Sequence, residues 1–258
     1  MALEIKRIVD PEDPLLTQVY ELFASQFGAD ELDPLDVTQE ELELTKKGDH
    51  DAPYILEASQ LDGELIGAIA GNLFRLSEDD KGAAAIGYCA VDPNIRKRGV
   101  GKNLVDRFHQ TINQSSREEG RQQVATVLEA ETPDPENPNR YNSIPFWDRL
   151  GWKLTEGGIY KQPSLEFNED GTPTYSAVPL AFMVRPAEGE AQDMIARPTL
   201  KDIVGIMFDN WYVPELEKQT AQKRAAGHVY GIMGRFLQSV HQDEQGMVPL
   251  VPYQAGEK

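Results

Sequence analysis

Apolar and polar positions along the chain follow two spacings, which predict strands and helices in alternation. Residues 3–9 (LEIKRIV) alternate as in a strand, and residues 15–27 carry apolar side chains at helical spacing after the breaker run DPEDP. The same reasoning predicts further strands at 54–60, 65–76, 83–91, 123–130, 152–160 and 175–184. It predicts further helices at 38–47, 100–113 and 141–150, the last interrupted by Pro145.

Cap and turn residues support two of these boundaries. Thr38 and Glu41 form a capping-box pattern at the start of the second helix, and Gly48 lies just past its end. Asp62-Gly63 predicts a tight hairpin turn between the second and third strands. The alternation of elements predicts an α/β protein.

A helical tail follows the linker RPAEGEAQ, and it forms a second region. Its apolar residues recur at three and four positions over 203–211 and 229–240, so we predict two amphipathic helices. Their polar residues form no constellation, and we expect the tail to make an interface and not to carry the chemistry. A second copy of the chain is favoured over packing within the chain, which predicts a homodimer. The predicted domains are residues 1–187 and the extension 188–258.

Composition and charge exclude several classes of protein. The 258 residues carry a net charge of -18, and Asp and Glu outnumber Lys and Arg about fourfold in residues 1–80. Nonspecific binding to nucleic acid or to anionic lipid needs a basic surface, so neither is expected. One cysteine and four dispersed histidines predict no metal site, and a single thiol fits a reducing compartment. Without a long apolar stretch or a signal peptide, we expect a cytoplasmic protein.

The segment from Tyr88 to Val105 (YCAVDPNIRKRGVGKNLV) holds the strongest chemical signal. A predicted strand passes through a basic turn with Gly99 and Gly101 directly into a helix, so backbone N–H groups and the positive end of the helix dipole face one spot. Arg96, Arg98 and Lys102 can neutralise an anion there. The segment therefore predicts a phosphate-binding turn.

Two common phosphate motifs do not match this turn. A P-loop requires glycine in place of Arg96 and Ser or Thr in place of Asn103, and a dinucleotide fingerprint requires Gly or Ala in place of Leu104. The run Val91-x-Pro93-x-x-Arg96-x-x-Gly99-x-Gly101 instead resembles the acyl-CoA motif of the GNAT superfamily of N-acyltransferases. Residues 146–152 (FWDRLGW) are similar to that family's Phe-Tyr-x-x-x-Gly-Phe run.

The resemblance implies a fold, a cofactor and a set of binding residues. The implied fold is a mixed, mostly antiparallel central sheet flanked by helices, covering residues 3 to about 185, with the pantetheine arm of acetyl-CoA between the strands before and after the motif helix. It implies backbone hydrogen bonds to pantetheine from two strand residues and contacts to the pyrophosphate from the turn. The strand residues are Ala90 and Val91, and the turn residues are Arg96, Arg98, Gly99, Val100, Gly101 and Lys102.

The family's frequent acid and base are missing from their usual positions. The catalytic Glu would fall near Gly87, and the Tyr acid falls on Trp147, which has no proton to transfer. Glu129 and Glu131 lie two apart at the end of a predicted strand and so share a face; they are candidate bases, with solvated carboxylates as the alternative. Tyr141 is a candidate acid for the leaving thiolate, with simple aromatic packing as the alternative.

The predicted function is therefore transfer of an acetyl group from acetyl-CoA to a primary amine, by direct attack within a ternary complex. The acid in residues 1–80 favours a cationic acceptor, and a small polyamine, an amino acid, an aminoglycoside and a protein amine all remain open. The alternative is a noncatalytic acyl-CoA sensor or scaffold, favoured by Gly87 and Trp147.

Overall fold

A computed structural model describes most of the chain. The described residues are 3–27, 32–48, 52–78, 80–132, 143–161, 179–212 and 222–253, with the backbone alone at 161 and 222–229. They group into two compact units, residues 1–123 and 124–258.

Four antiparallel strands in consecutive order form the sheet of the first unit. They are β1 (Leu3–Ile8), β2 (Tyr54–Leu61), β3 (Glu64–Arg75) and β4 (Lys81–Val91). Asp62 and Gly63 join β2 to β3 with φ of 51° and 89°, the left-handed pair that a two-residue hairpin turn requires. The predicted hairpin is confirmed.

Three helices pack on this sheet. They are α1 (Pro14–Ala24), α2 (Leu35–Lys47) and α3 (Val100–Glu118). Helix α3 buries one stripe, which includes Leu104, Val105 and Phe108, and leaves the opposite face in solvent. Gly67 on β3 lets α3 approach closely, because a Cβ at that position would lie 3.0 Å from Leu104 Cδ1 and 3.2 Å from Val100 Cγ1.

The second unit contains five antiparallel strands in the order β5-β7-β6-β9-β8. They are β5 (Gln122–Glu131), β6 (Lys153–Lys161), β7 (Pro179–Pro186), β8 (Met194–Ala196) and β9 (Met247–Val251). Strand β7 lies between β5 and β6, with Glu129 opposite Phe182 and Tyr160 opposite Leu180. The strands β8 and β9 lie in the region predicted to be a helical tail, so that prediction was incomplete.

The helices of the second unit are α4 (Ile144–Arg149), α5 (Arg197–Trp211) and α6 (Gln222–Ser239). Helix α5 buries five apolar residues: Leu200, Ile203, Val204, Met207 and Phe208. The ring centroid of Tyr160 on β6 lies 5.9 Å from that of Phe208 on α5 and 5.1 Å from that of Phe236 on α6. Both tail helices therefore pack within the chain, where the sequence favoured a second copy.

Several predicted boundaries differ from the structure. Helix α1 ends at Ala24 and not at residue 27, and α4 begins at Ile144 with Pro145 in its first turn, so Pro145 does not interrupt it. Helix α2 begins at Leu35 after Pro34, three residues before Thr38, so the predicted capping box is wrong; its predicted end at Gly48, with φ 75°, is confirmed. Helix α3 continues five residues past the predicted Asn113, because Ser116 is buried and bonds Gln123. A polar residue at a buried position broke the apolar pattern on which the prediction depended.

Candidate active site

The turn between β4 and α3 is built by local side-chain capping and two left-handed residues. Asp92 Oδ1 accepts a hydrogen bond from the Asn94 N–H at 2.8 Å, which starts a single 3₁₀ turn over Pro93–Ile95. Lys97 then has φ 68° and Gly99 has φ 84°. These two left-handed residues reverse the chain so that α3 begins at Val100.

Gly99 leaves the first turn of α3 open. It is the N-cap residue, and within the described chain no side chain caps the helix there. A Cβ built on Gly99 would meet no atom within 4 Å. Uncapped N–H groups beside free space form the kind of site in which a helix N-terminus binds phosphate. The turn therefore fits the pyrophosphate of a CoA ester.

The basic side chains of the turn fall into two groups. Lys97, Arg98 and Lys102 are exposed, and Lys102 forms an ion pair with Asp106 one turn along α3. Arg96 is half-buried, and its guanidinium donates to Gln26 Oε1 at 2.6 Å and to the Val91 carbonyl at 3.3 Å. Arg96 thus ties the turn to the end of α1, which the sequence did not predict.

The end of β4 places the two predicted pantetheine-binding residues. Ala90 is buried opposite Ala68, and Val91 lies opposite Gly67. A β-bulge precedes them, because Ala70 pairs with Tyr88 while Gly71 pairs with Ile86, which leaves Gly87 as the extra residue. The position where the family often has a glutamate therefore has no side chain and sits at a kink.

Glu129 is the most perturbed carboxylate of the second unit's described part. Its Oε2 accepts a hydrogen bond of 2.5 Å from the Tyr212 hydroxyl, and its Oε1 is buried with no hydrogen-bond partner among the described residues. Burial raises the pKa of Glu129 to about 7, and the Tyr212 hydrogen bond opposes that rise. A carboxylate with this pKa can both accept and release a proton near neutral pH.

Glu131 and Tyr141 are the other two candidate catalytic residues. Glu131 is half-buried on the same face of β5 as Glu129, opposite Leu180 on β7, so the predicted shared face is confirmed. Tyr141 lies outside the described residues. The structure thus brings the two glutamates together on β5.

Trp147 contributes packing to the second unit. It is 6% exposed, and its ring forms edge contacts with Phe146 at 4.9 Å and with Trp152 at 5.1 Å between centroids. The Arg185 guanidinium lies over the Trp152 ring at 5.1 Å. The motif residues 146–152 therefore build the core around α4.

A pocket in the first unit combines tyrosines with nearby acids. Its lining includes Tyr20, Tyr54 and Tyr88 together with apolar residues of α1. The Tyr88 hydroxyl donates to Asp33 Oδ2 at 3.1 Å, and burial, followed by the charges of Asp33 and Glu41, raises the pKa of Tyr54 above its usual value.

A family model described as the acetyltransferase (GNAT) family matches residues 16–152, just over half of the chain. The chain therefore belongs to the GNAT family of acetyltransferases, as its motif indicated. It is an acyl-CoA-dependent N-acetyltransferase, and acetyl-CoA is the family's acyl donor. The mixed, mostly antiparallel arrangement of strands with flanking helices agrees with the predicted fold class.

Several solved structures are similar to the chain at low identity. An aminoglycoside 6'-N-acetyltransferase complexed with coenzyme A is 17% identical, with a TM-score of 0.46 over 71% of this chain and 96% of that one. The ribosomal-protein-S18-alanine N-acetyltransferase from Escherichia coli is 14% identical, with a TM-score of 0.47 over 73% and 98%. The aminoglycoside 6'-N-acetyltransferase from Enterococcus faecium is 17% identical, with a TM-score of 0.45 over 72% and 97%. No protein of curated function matches the sequence.

Two further observations bear on what the chain can bind. No helix in the described residues is long and apolar enough to cross a membrane. Within the same residues, no three His, Cys, Asp or Glu side chains converge as metal ligands. Cys89, on β4, is half-buried, and burial raises the pKa of its thiol to about 12, which makes it a poor nucleophile.

One residue of the site was missed by the sequence analysis. Tyr212 lies 83 positions from Glu129, in the region predicted to carry no chemistry. Neither its spacing nor the family motif gave a signal, because the resemblance ends near residue 185. Only the fold of the second unit brings this hydroxyl to the carboxylate.

Proposed function

We propose that this protein transfers an acetyl group from acetyl-CoA to a cationic primary amine by direct attack within a ternary complex. When bound, acetyl-CoA supplies the activated thioester. The observation that carries the proposal is the open, uncapped first turn of α3 behind Gly99 in a chain of the acetyltransferase family. The one cysteine of the chain, Cys89, is a poor nucleophile, since its thiol has its pKa raised to about 12.

The binding residues of the donor follow from the turn. Gly99 borders open space at the N-cap, Val100 and Gly101 follow it in the first turn of α3, and Arg98 and Lys102 are exposed. Arg96 has a guanidinium with five donors, two of which already bond Gln26 and Val91. We therefore assign Arg96 to holding the turn in place beside the pyrophosphate. Ala90 and Val91 present the strand edge to pantetheine.

Glu129 is the proposed base. An amine attacks only as the free base, so a cationic acceptor must first lose a proton. Glu129 takes that proton, directly or through a water, on a carboxylate whose pKa lies near 7. Glu131, on the same face, is the second candidate. The new bond joins the amine nitrogen to the acetyl carbon, the nitrogen releases its second proton to water, and the carbon–sulfur bond breaks. Tyr141 is proposed to protonate the departing thiolate and to regain a proton from water.

The acceptor class is proposed from charge. Residues 1–80 hold about four times as many Asp and Glu as Lys and Arg, and a surface of this sign would raise the local concentration of a cationic acceptor. A polyamine, an amino acid, an aminoglycoside and a protein amine all satisfy this chemistry.

Calorimetric titration with acetyl-CoA tests the donor site. Gly99→Glu places a bulky carboxylate into the open space and should lower the affinity at least tenfold. Gly120→Glu is the matched control, because Gly120 lies at the other end of α3 with φ 71° and also has nothing within 4 Å of its Cβ. Equal affinity in the wild type and Gly99→Glu would overturn the assignment.

Release of the CoA thiol over a panel of amines tests the reaction. Glu129→Gln should lower turnover by about a hundredfold to ten-thousandfold without changing acetyl-CoA affinity. In the wild type, kcat/KM should fall about tenfold for each pH unit below 7, because the base must be ionised. Tight acetyl-CoA binding without turnover on any amine would favour the alternative function, a noncatalytic acyl-CoA sensor or scaffold. Gly87 and Trp147 favour the same alternative, because they stand where the family often has its base and acid.

The assembly of the protein is a separate proposal. A GNAT domain over residues 1–187 with an extension at 188–258 remains the predicted division, and a cytoplasmic location remains a prediction. Helix α5 buries its apolar residues within its own chain, so a homodimer would need other surfaces. Light scattering of the full chain would give the oligomeric state.

A further inference from the structure

The C-terminal extension contributes a side chain to the candidate base. Tyr212 follows the last turn of α5, is 4% exposed, and donates its hydroxyl proton to Glu129 Oε2 at 2.5 Å. A short hydrogen bond to an ionised carboxylate is among the stronger ones in proteins. The contact therefore fixes one oxygen of Glu129 and favours its ionised form.

The surroundings of the pair are apolar. The Tyr212 ring lies 5.0 Å from that of Phe208 on α5, and Phe182 on β7 is the partner of Glu129 across the sheet. Strand β6 contributes Tyr160, whose ring contacts Phe208, and β5 contributes Glu131 on the face of Glu129. Burial raises the pKa of Glu129, and the Tyr212 hydrogen bond, which has the smaller effect, lowers it.

The second oxygen of Glu129 is different. Oε1 is buried and has no hydrogen-bond partner among the described residues. An unpartnered oxygen on a buried carboxylate is costly, because its hydrogen bonds to water have no replacement. With Oε2 occupied by Tyr212, Oε1 is the oxygen left to receive a proton.

We propose that Tyr212 is a positioning residue: it holds Glu129 Oε2 so that Oε1 faces the proton of the acceptor amine. The proposal rests on the proposed function, in which Glu129 is the base. It gives the extension a role in the reaction, beyond the interface that its sequence predicted. The hydroxyl also moderates the basicity of the carboxylate, so its loss should be visible in the pH dependence.

Tyr212→Phe tests the proposal because it removes one hydroxyl and keeps the ring. Loss of a hydrogen bond to the ionised form disfavours that form, so the pKa of Glu129 should rise by about one unit. The acidic limb of kcat/KM should move to higher pH by the same amount, with unchanged acetyl-CoA affinity. Tyr160→Phe is the matched control, since that hydroxyl is also buried in the same aromatic cluster and has no described partner.

A second measurement separates this proposal from the proposed function. Carbon-13 NMR of protein labelled at the glutamate carboxyl reports the titration of Glu129 without acetyl-CoA or amine, with the resonance assigned by its loss in Glu129→Gln. The midpoint should rise in Tyr212→Phe and stay in Tyr160→Phe. An unchanged midpoint in Tyr212→Phe overturns the positioning contact, whatever the activity. Equal shifts in both variants overturn it as well, because they indicate repacking.

Activity then decides the role. A raised midpoint with a matching shift of the pH profile supports Tyr212 as a positioning residue. A raised midpoint together with wild-type turnover in Glu129→Gln shows that the contact is real but the base lies elsewhere. That result refutes both the proposed base and the positioning role.

Discussion

Glu129→Gln should change how the stability of the protein depends on pH. Burial raises the pKa of Glu129 from about 4.5 to about 7, so the folded state resists its ionisation. The stabilisation from the protonated side chain is fully present below the unfolded pKa and is lost as pH rises through the folded pKa. A glutamine has no such loss. The free energy of unfolding of Glu129→Gln should therefore rise relative to that of the wild type as the pH rises.

The magnitude follows from linkage. A shift of two to three pKa units corresponds to about 3 kcal/mol once both states are past their midpoints. At pH 5 the carboxyl of Glu129 is mostly ionised in the unfolded chain and protonated in the folded one, but the pH is only slightly above the unfolded pKa. Less than about 1 kcal/mol of the stabilisation has therefore been lost at pH 5. Between pH 5 and pH 8, the free energy of unfolding of Glu129→Gln should rise by about 2 to 3 kcal/mol relative to the wild type.

Urea unfolding at pH 5, 6, 7 and 8, followed by tryptophan fluorescence, measures this difference. Glu156→Gln is the control, because it removes the same charge from an exposed position on β6 of the same unit. The control should run parallel to the wild type within about 0.5 kcal/mol. A stability difference for Glu129→Gln that stays constant across this pH range would refute the burial argument and, with it, the elevated pKa of the proposed base.

Two further predictions concern the first unit. Burial raises the pKa of the Cys89 thiol from 9.0 to about 12, so the native protein should react with iodoacetamide at pH 8 about a thousandfold more slowly than the protein in urea. Mass spectrometry measures both rates, and equal rates would contradict the burial of the thiol. Gly71→Ala should lower stability by about 3 kcal/mol in urea unfolding, because its Cβ would lie 2.0 Å from the Ala85 carbonyl oxygen, whereas Gly205→Ala, with nothing within 4 Å, should be neutral or stabilising. A loss of stability in Gly71→Ala as small as that in Gly205→Ala would show that β3 and β4 can separate enough to accept the Cβ.

The elements of the first unit could be predicted because their signals are local. The Asp62-Gly63 turn, the alternation over β1 and the apolar stripe of α3 each depend on residues close together in the sequence. The turn between β4 and α3 could be predicted for the same reason, since Gly99 and the start of α3 are adjacent. Short-range chemistry of this kind can be read without a fold.

The parts that sequence reasoning missed depend on tertiary contacts. Strand β9 is only five residues long, and it is paired by β6 and β8 far away in the sequence. The role of Arg96 depends on Gln26, which lies 70 positions earlier. A strand of five residues is too short for its spacing to be diagnostic, and a single long-range hydrogen bond does not constrain the residues around it.

The extension and the candidate base are linked by one physical cause. A carboxylate with an unpartnered oxygen is costly to bury, and such a cost is tolerated only where surrounding packing offsets it. The aromatic contacts of Tyr160, Phe208 and Phe236 supply packing of that kind in the second unit. The same packing removes water from Glu129 and raises its pKa. The carboxylate on β5 and the extension are therefore coupled, because Tyr212 and Phe208, which bring the hydroxyl to Glu129, belong to a region whose sequence predicted only an interface.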